Sequence, residues 1–333
     1  VGQDADRKGW WVVRELATEF EAERGRLLAV AHRMLGSRTE AEDAVQETWL
    51  RYAGALADPA ARAEIRELSA WLTTTCARIC LDVLRSARVR REAYPGQWLP
   101  EPVVSPLGGR SPADGYAPDP AERAVRTDQV GTALLVVLER LAPEQRVALV
   151  LHDVFALPFA RVAGVLGTTE VAARQLASRA RRAVTSPDVP RHTADPAEQR
   201  RVLKAFVAAT ESGELDQLLQ VLAPDVVFVG DSGGHFPAAR WPVLGADSVA
   251  RLTLGLFGRT GRYTGRVLAR PVLVDGILGL QLETTHSDGR PIRLVTAFAV
   301  DQGRITAIYN QLNPEKLTDL PPLDADDGWP PRW

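Results

Sequence analysis

The sequence predicts a multidomain chain. Two all-α helical domains, the second carrying a helix-turn-helix, precede an α+β domain with a curved antiparallel sheet wrapped around a helix. Three observations lead there. Residues 15–92 and 122–187 show helical periodicity without strand signals, and a proline-rich break separates them. The stretch 157–184 reads helix, short turn, helix, and the second helix is loaded with arginine. From residue 196 two helical patterns come first, and strands then alternate with Asp-Gly and Gln-Gly turns. At 333 residues, 45% hydrophobic and 25% charged, the chain has room for two or three globular domains.

Residues 1–14, charged and carrying Trp10 and Trp11, read as a leader with little determined structure. The next stretch places Leu16, Phe20, Leu27, Val30, Ala31 and Met34 on one helical face and ends at Gly36. Ser37 or Thr39 then caps a second helix, whose acidic first turn suits the helix dipole. A short helix is expected near 60–66. A long one runs from Glu67 to Glu92 with Trp71, Leu72, Thr75, Ile79 and Val83 inward. Residues 93–121 hold seven prolines and four glycines, which opposes regular structure and marks a linker. Within it, Trp98 and Leu99 between prolines look built to dock.

In the helix-turn-helix, Phe159, Val162, Ala163 and Leu166 form an apolar face, Gly167 ends the helix, and Thr168 or Thr169 caps the next. Ala173, Ala177, Ala180 and Val184 make a thin inner stripe that permits close packing. Arg174, Gln175, Ser178, Arg179 and Arg182 face out, side chains able to bond base edges and phosphates in a major groove. Charge agrees with this placement. The net is −2 overall, but 0 for residues 1–92, −3 for 93–122, +4 for 123–192 and −3 for 193–333. A nearly neutral chain that touches DNA draws affinity from a larger partner, because phosphate contacts supply most non-specific binding.

Cys76 and Cys80 lie four apart in one helix without a second ligand pair, which points to buried reduced thiols and to no metal or cofactor. No apolar run approaches the ~18–20 residues of a membrane span, so a cytoplasmic protein with no membrane partner is expected. In the last domain, Asp275-Gly276, Asp288-Gly289 and Gln302-Gly303 are hairpin signals, and a helix is expected near 246–258.

Residues 41–51 (AEDAVQETWLR), 71–91 (WLTTTCARICLDVLRSARVRR) and 150–167 (VLHDVFALPFARVAGVLG), with WLPEP at 98–102, DSGGH at 231–235 and NPEKL at 313–317, carry a family resemblance. The chain resembles an extracytoplasmic-function (ECF) RNA polymerase sigma factor with a fused SnoaL-like, cone-shaped C-terminal domain. The resemblance implies sigma domain 2 over 15–92, a linker over 93–121, sigma domain 4 over 122–187, a regulatory domain over 196–318 and a tail over 319–333. It implies core RNA polymerase and promoter DNA as partners. Asp43, Gln46, Glu47 and Arg51 would dock on the polymerase. Arg78, Asp82, Arg85, Arg88, Arg90 and Arg91 would contact the melted −10 region, where single strands need a basic track. Trp71 is there a core residue or a base platform. Thr169, Arg174, Gln175, Ser178, Arg179 and Arg182 would read the −35 element. Trp98, Leu99, Pro100, Glu101 and Pro102 would meet Asp231, Gly233, Gly234 and His235, together with Asn313, Pro314, Glu315, Lys316 and Leu317, in a regulatory contact. The family loop usually reads Asp-Gly-Gly-Gly-Lys and its end Asn-Pro-Asp-Lys-Leu. Here Ser232 replaces a glycine, and His235, largely neutral near pH 7, replaces the lysine.

Competing functions remain on the sequence alone. The C-terminal domain could take a small-molecule ligand, or act as an isomerase- or cyclase-like enzyme using Asp231, His235, His286 and Tyr309, although no spacing forces these together. A one-component regulator using only the helix-turn-helix is opposed by the polymerase-docking and −10-like segments.

Overall fold

The computed structural model describes residues 3–57, 65–92, 94, 96–107, 132–139, 141–186, 189–190, 192–257, 263–324 and 326–331. The described chain forms two compact units. The first contains residues up to 90 and 138–185; the second contains 91–107, 132–137 and 186 onward.

The first unit opens with α1 (Gln3–Leu35), α2 (Arg38–Ala57) and α3 (Leu68–Glu92). Helix α1 begins well inside the expected leader, so that expectation is corrected; the side chains of Trp10 and Trp11 lie outside the described residues, as does most of the expected helix near 60–66. Leu27, Val30, Ala31, Met34, Ala44, Val45, Leu72, Cys76, Ile79 and Cys80 are buried. An aromatic row runs along this core: Phe20 and Trp49 are 5.1 Å apart, Trp49 and Tyr52 6.2 Å, Tyr52 and Trp71 6.0 Å. Trp71 therefore serves in the packing of the helices.

After α4 (Thr132–Glu139), which crosses the boundary between the units, come α5 (Pro143–Leu149) with a π-helical continuation (Val150–Val154), α6 (Phe159–Leu166) and α7 (Glu170–Val184). The helices expected to form two separate domains thus close into one unit. Polar contacts join its two parts. Arg78 donates to the Gly164 carbonyl (2.8 Å), Arg85 pairs with Glu144 (3.0 Å), and Arg161 pairs with Glu67. Arg146 is almost wholly buried and bonds Glu139; burial lowers its pKa to about 9.

The second unit is α+β, as the sequence predicts. Helices α8 (Pro196–Ser212), α9 (Leu215–Val221) and α10 (Ala246–Phe257) pack on one face of a seven-stranded sheet. Its strands are β1 (Val104–Pro106), β2 (Leu222–Asp231), β3 (Val243–Leu244), β4 (Tyr263–Val274), β5 (Ile277–His286), β6 (Pro291–Asp301) and β7 (Arg304–Gln311). The order is β1-β4-β5-β6-β7-β2-β3. Two expectations are corrected here. The β2–β7 pair is parallel, so the sheet is mixed: β2 enters after α9 and lies beside the last strand. And the Pro/Gly-rich linker contributes β1, which pairs antiparallel with the outer strand β4 through Val104–Val274 and Pro106–Val272. Proline is tolerated there because β1 is an edge strand.

Alternation along the strands separates two apolar faces. Phe228, Leu280, Phe298 and Ile308 face the helices. Val229, Val272, Ala297 and Tyr309 face the other way and are covered by Leu99, Val136, Leu317 and Leu320. Asp275 and Gln302 take positive φ (both 50°) at the tight turns the sequence marks.

Candidate functional site

Three surfaces carry the expected site residues. The first is the linker seat of the second unit. Asp231 ends β2 with its side chain 0% exposed. One carboxylate oxygen accepts from the Tyr94 hydroxyl (2.7 Å) and the Gly233 amide (3.0 Å). The other accepts from the Leu99 amide (2.9 Å), Lys316 Nζ (2.7 Å) and, more weakly, Gln311 Nε2 (3.4 Å). Lys316 also donates to the Leu99 carbonyl (2.7 Å) and stands 4.1 Å from the Trp98 ring centroid and 5.0 Å from that of Tyr94, a cation–π arrangement. A buried carboxylate is costly unless paired and hydrogen-bonded, and here it is both.

The loops that deliver these groups are locally determined. Asn313 caps the turn Pro314–Lys316 by accepting from the Glu315 amide, and its Nδ2 donates to the Tyr94 hydroxyl (2.9 Å). Gly233 has φ +59°, and a Cβ there would meet the Asn313 side chain at 2.6 Å. Burial and the Asp231 hydrogen bond both raise the Tyr94 pKa, which keeps the phenol a donor. Leu99, 2% exposed, and Leu317 enter the apolar layer beneath. The expected contact residues Trp98, Leu99, Pro100, Asp231, Gly233, Asn313, Lys316 and Leu317 are thus brought together. His235 stands at the rim, 3.6 Å from Glu315, with its carbonyl accepting from Arg290 (2.8 Å). Sequence reasoning missed Tyr94, Gln97, which donates to the Ala239 carbonyl (2.7 Å), and Gln311, which donates to the Pro100 carbonyl (3.3 Å). A usable signal existed for Gln311: strand alternation puts it on the same face as Tyr309, opposite Asn310.

The second surface is α7. Gly167 ends α6 with φ 63°, and Thr169, the cap among the two candidates, accepts from the Ala172 amide (3.2 Å). Ala173, Ala177 and Ala180 are wholly buried, so the outward face is fixed. Gln175, Ser178, Arg179 and Arg182 are exposed on it. Arg174 is exposed there too, pairing with Glu170 and lying 4.8 Å over the Phe159 ring. Val171, 66% exposed, was missed; an apolar side chain left in solvent at the start of such a helix can meet a thymine methyl.

The third surface is shared by α2 and α3. Asp43, Gln46 and Arg51 are exposed, Glu47 is half-buried, and Arg51 pairs with Glu47 (2.9 Å). Leu50, 56% exposed, shares their helical face and was missed. On α3, Arg85 also approaches Asp82 (3.7 Å), while Arg78 is occupied by the Gly164 carbonyl. The side chains of Arg88, Arg90 and Arg91 lie outside the described residues.

A small recess of about 20 Å³ lies on the helical face of the sheet, lined by Phe206, Phe228, Phe298, Thr296, Asn310 and Trp329 among others. Asp231, His235, His286 and Tyr309 are not gathered in it: Asp231 and Tyr309 lie on the opposite face, and His286 pairs with Asp288 (3.0 Å) at a hairpin. Among the described residues no group of acidic, His and Cys side chains could hold a metal, and no helix is long and apolar enough to cross a membrane.

Comparisons with known proteins agree with this layout. Residues 20–90 match the model for Sigma-70 region 2, and residues 132–184 match that for Sigma-70, region 4. The ECF RNA polymerase sigma factor SigJ of Mycobacterium tuberculosis is 45% identical over 318 residues, covering 91% of this chain and 94% of that one. The probable ECF RNA polymerase sigma factor SigI of the same species is 34% identical over 315 residues, 94% of this chain and 97% of that one. The crystal structure of M. tuberculosis SigJ matches with a TM-score of 0.69 at 42% identity, covering 92% of this chain and all of that one. With both sigma-70 regions present and a relative this similar along almost its whole length, the chain belongs to the ECF RNA polymerase sigma factors.

Proposed function

We propose that this sigma factor directs core RNA polymerase to its promoters and is regulated in cis by its C-terminal domain, which grips the segment joining the two DNA-facing parts. In this reading Asp43, Gln46, Glu47, Leu50 and Arg51 dock α2 on the polymerase in the cytoplasm. The basic face of α3 holds the −10 strand, and Val171, Gln175, Ser178, Arg179 and Arg182 on α7 read the −35 duplex. The observation that carries the regulatory part is the Asp231–Lys316 pair closed around Leu99. A linker held by a buried charge pair and an apolar anchor limits how far the two DNA-binding parts can separate, and each promoter element needs one of them.

In vitro transcription with purified core polymerase tests this. Wild-type protein is expected to bind core and initiate promoter-dependently, and Asp231→Asn is expected to change output at equal protein concentration and unchanged core affinity. Absence of core binding overturns the sigma reading. Unchanged output from Asp231→Asn overturns regulation through the linker.

A further inference from the structure

The segment that joins α7 to α8 is fastened to the sheet at Val300. The β5–β6 ladder stops at the Gly279–Ala297 pair, so the backbone groups of Val300 need partners from elsewhere. Residues 192–194 supply them. The Thr193 and Ala194 amides donate to the Val300 carbonyl (3.0 and 3.2 Å), and the Val300 amide donates to His192 Nδ1 (3.0 Å). The Thr193 hydroxyl donates to Asp301 beside it. The next residue, Asp195, is the cap of α8.

The other side of the imidazole meets a second donor. His192 Nε2 lies 3.0 Å from Gln199 Nε2. The Gln199 amide is held in that sense, because its Oε1 accepts from the Leu278 amide (3.1 Å) and its Nε2 also donates to the Ala194 carbonyl (2.9 Å). Turning it over sets donor against donor at Leu278 and acceptor against acceptor at Ala194. An N–H group therefore faces each ring nitrogen. A neutral imidazole has a lone pair for one of them, and an imidazolium has none, so both contacts then become repulsive. Burial lowers the His192 pKa from 6.5, and the charge of Asp301 pulls it the other way.

The surroundings leave the charged ring a way out. A cavity of about 90 Å³ lies beside His192 and Gln199, ample for water. Arg200 lines it from α8, whose first turn also carries Glu198 after the cap Asp195. The β4–β5 hairpin and the chain after β1 face it with Leu273, Ile277, Leu278 and Leu107, none of them ionisable.

We propose that His192 is a proton-operated latch: one proton taken from water onto the imidazole frees residues 192–194 from Val300, so that the segment joining α7 to α8 gains length up to its cap, Asp195. The latch is closed at neutral pH and opens as the pH falls below 6.5, because the closed form refuses the proton that the open form accepts. It lies within the second unit and does not depend on the cis-regulatory reading.

Amide hydrogen exchange of the full-length protein at pH 7.5 and pH 5, corrected for the intrinsic pH dependence of exchange, tests this. Wild type is expected to lose protection about fivefold or more at Thr193, Ala194 and Val300 in acid, while the β5–β6 ladder from Gly279 to Thr285 keeps its own. His192→Asn offers Val300 an acceptor oxygen that does not titrate, and it is expected to hold the three amides at both pH values. His192→Lys carries the charge without an acceptor and is expected to be open at pH 7.5. The imidazole resonance missing from His192→Asn identifies His192 among the five histidines, and its midpoint is expected below pH 6.5. Unchanged protection in wild type overturns the latch. An equal loss in His192→Asn assigns the titration to another group and also overturns it. So does a loss shared by the ladder, a closed His192→Lys, or a midpoint at or above 6.5.

Discussion

Lys316 is where several energies meet at one atom. Its ammonium neutralises Asp231, holds the Leu99 carbonyl and faces two rings. Lys316→Met keeps the stem and leaves the carboxylate buried without a cation, which costs about 3–5 kcal/mol. The double change with Asp231→Asn is expected to recover part of it, and denaturant unfolding of the four proteins measures the coupling. His32 offers a second test. Burial, then the positive charges of Arg146, Arg33 and Arg38, lowers its pKa from 6.5 to about 4. The unfolded chain therefore takes up a proton below pH 6.5 that the folded unit refuses until about pH 4. Stability is full above that window and falls through it, on the order of 3 kcal/mol in total. His32→Gln is expected to flatten the drop, and melting temperatures between pH 7 and 5 check it.

At the level of elements, α7 shows what a sequence makes legible. Its spacing of alanines fixed the buried stripe, and the glycine before it fixed the turn, so the outward residues followed. Arg174 faces out as well, but only the fold reveals that Phe159 offers it a ring face. Arg179→Ala is expected to weaken −35 recognition by ~1–3 kcal/mol if it contacts a base, and to lower the salt slope by about 1 if it contacts a phosphate. Arg174→Ala is expected to cost less, and binding to a linear −35 duplex at several salt concentrations separates the cases. On α2, Leu50→Asp is expected to lower core-polymerase affinity without loss of helicity; equal loss of both would make Leu50 structural. The linker was half legible. Trp98 and Leu99 announced a docking segment, but β1 could not be foreseen, because proline count argues against a strand and only an open sheet edge recruits one.

Across the whole molecule, chain order and spatial order differ. The two helical parts, separated in sequence by the linker of residues 93–121, share one compact unit, whereas the linker residues the structure describes, 96–107 among them, fold with the C-terminal sheet. In that unit Arg78 and Arg85, both expected at the −10 strand, hold groups on the part that matches Sigma-70, region 4. On the proposed reading, these contacts would give way to phosphate contacts when the protein opens on polymerase. Removing residues 193–333 is expected to change promoter output strongly, and removing only 313–333 to change it differently, since the latter takes away Lys316 but leaves Asp231. Run-off transcription at equal protein level decides, and identical output from wild type and both truncations would refute regulation in cis.

The edge strand β1 has an inheritance consequence. The sheet borrows Val104–Pro106 and the Leu99 anchor from a stretch encoded nearly a hundred residues before its first helix, with the Sigma-70, region 4 match between them. A recombination event that attached this C-terminal domain to another sigma factor would bring a sheet with an unpaired β4 edge and a bare apolar face. The domain can therefore move between genes only if two separated stretches of sequence move together, which ties the history of its tail to that of its linker.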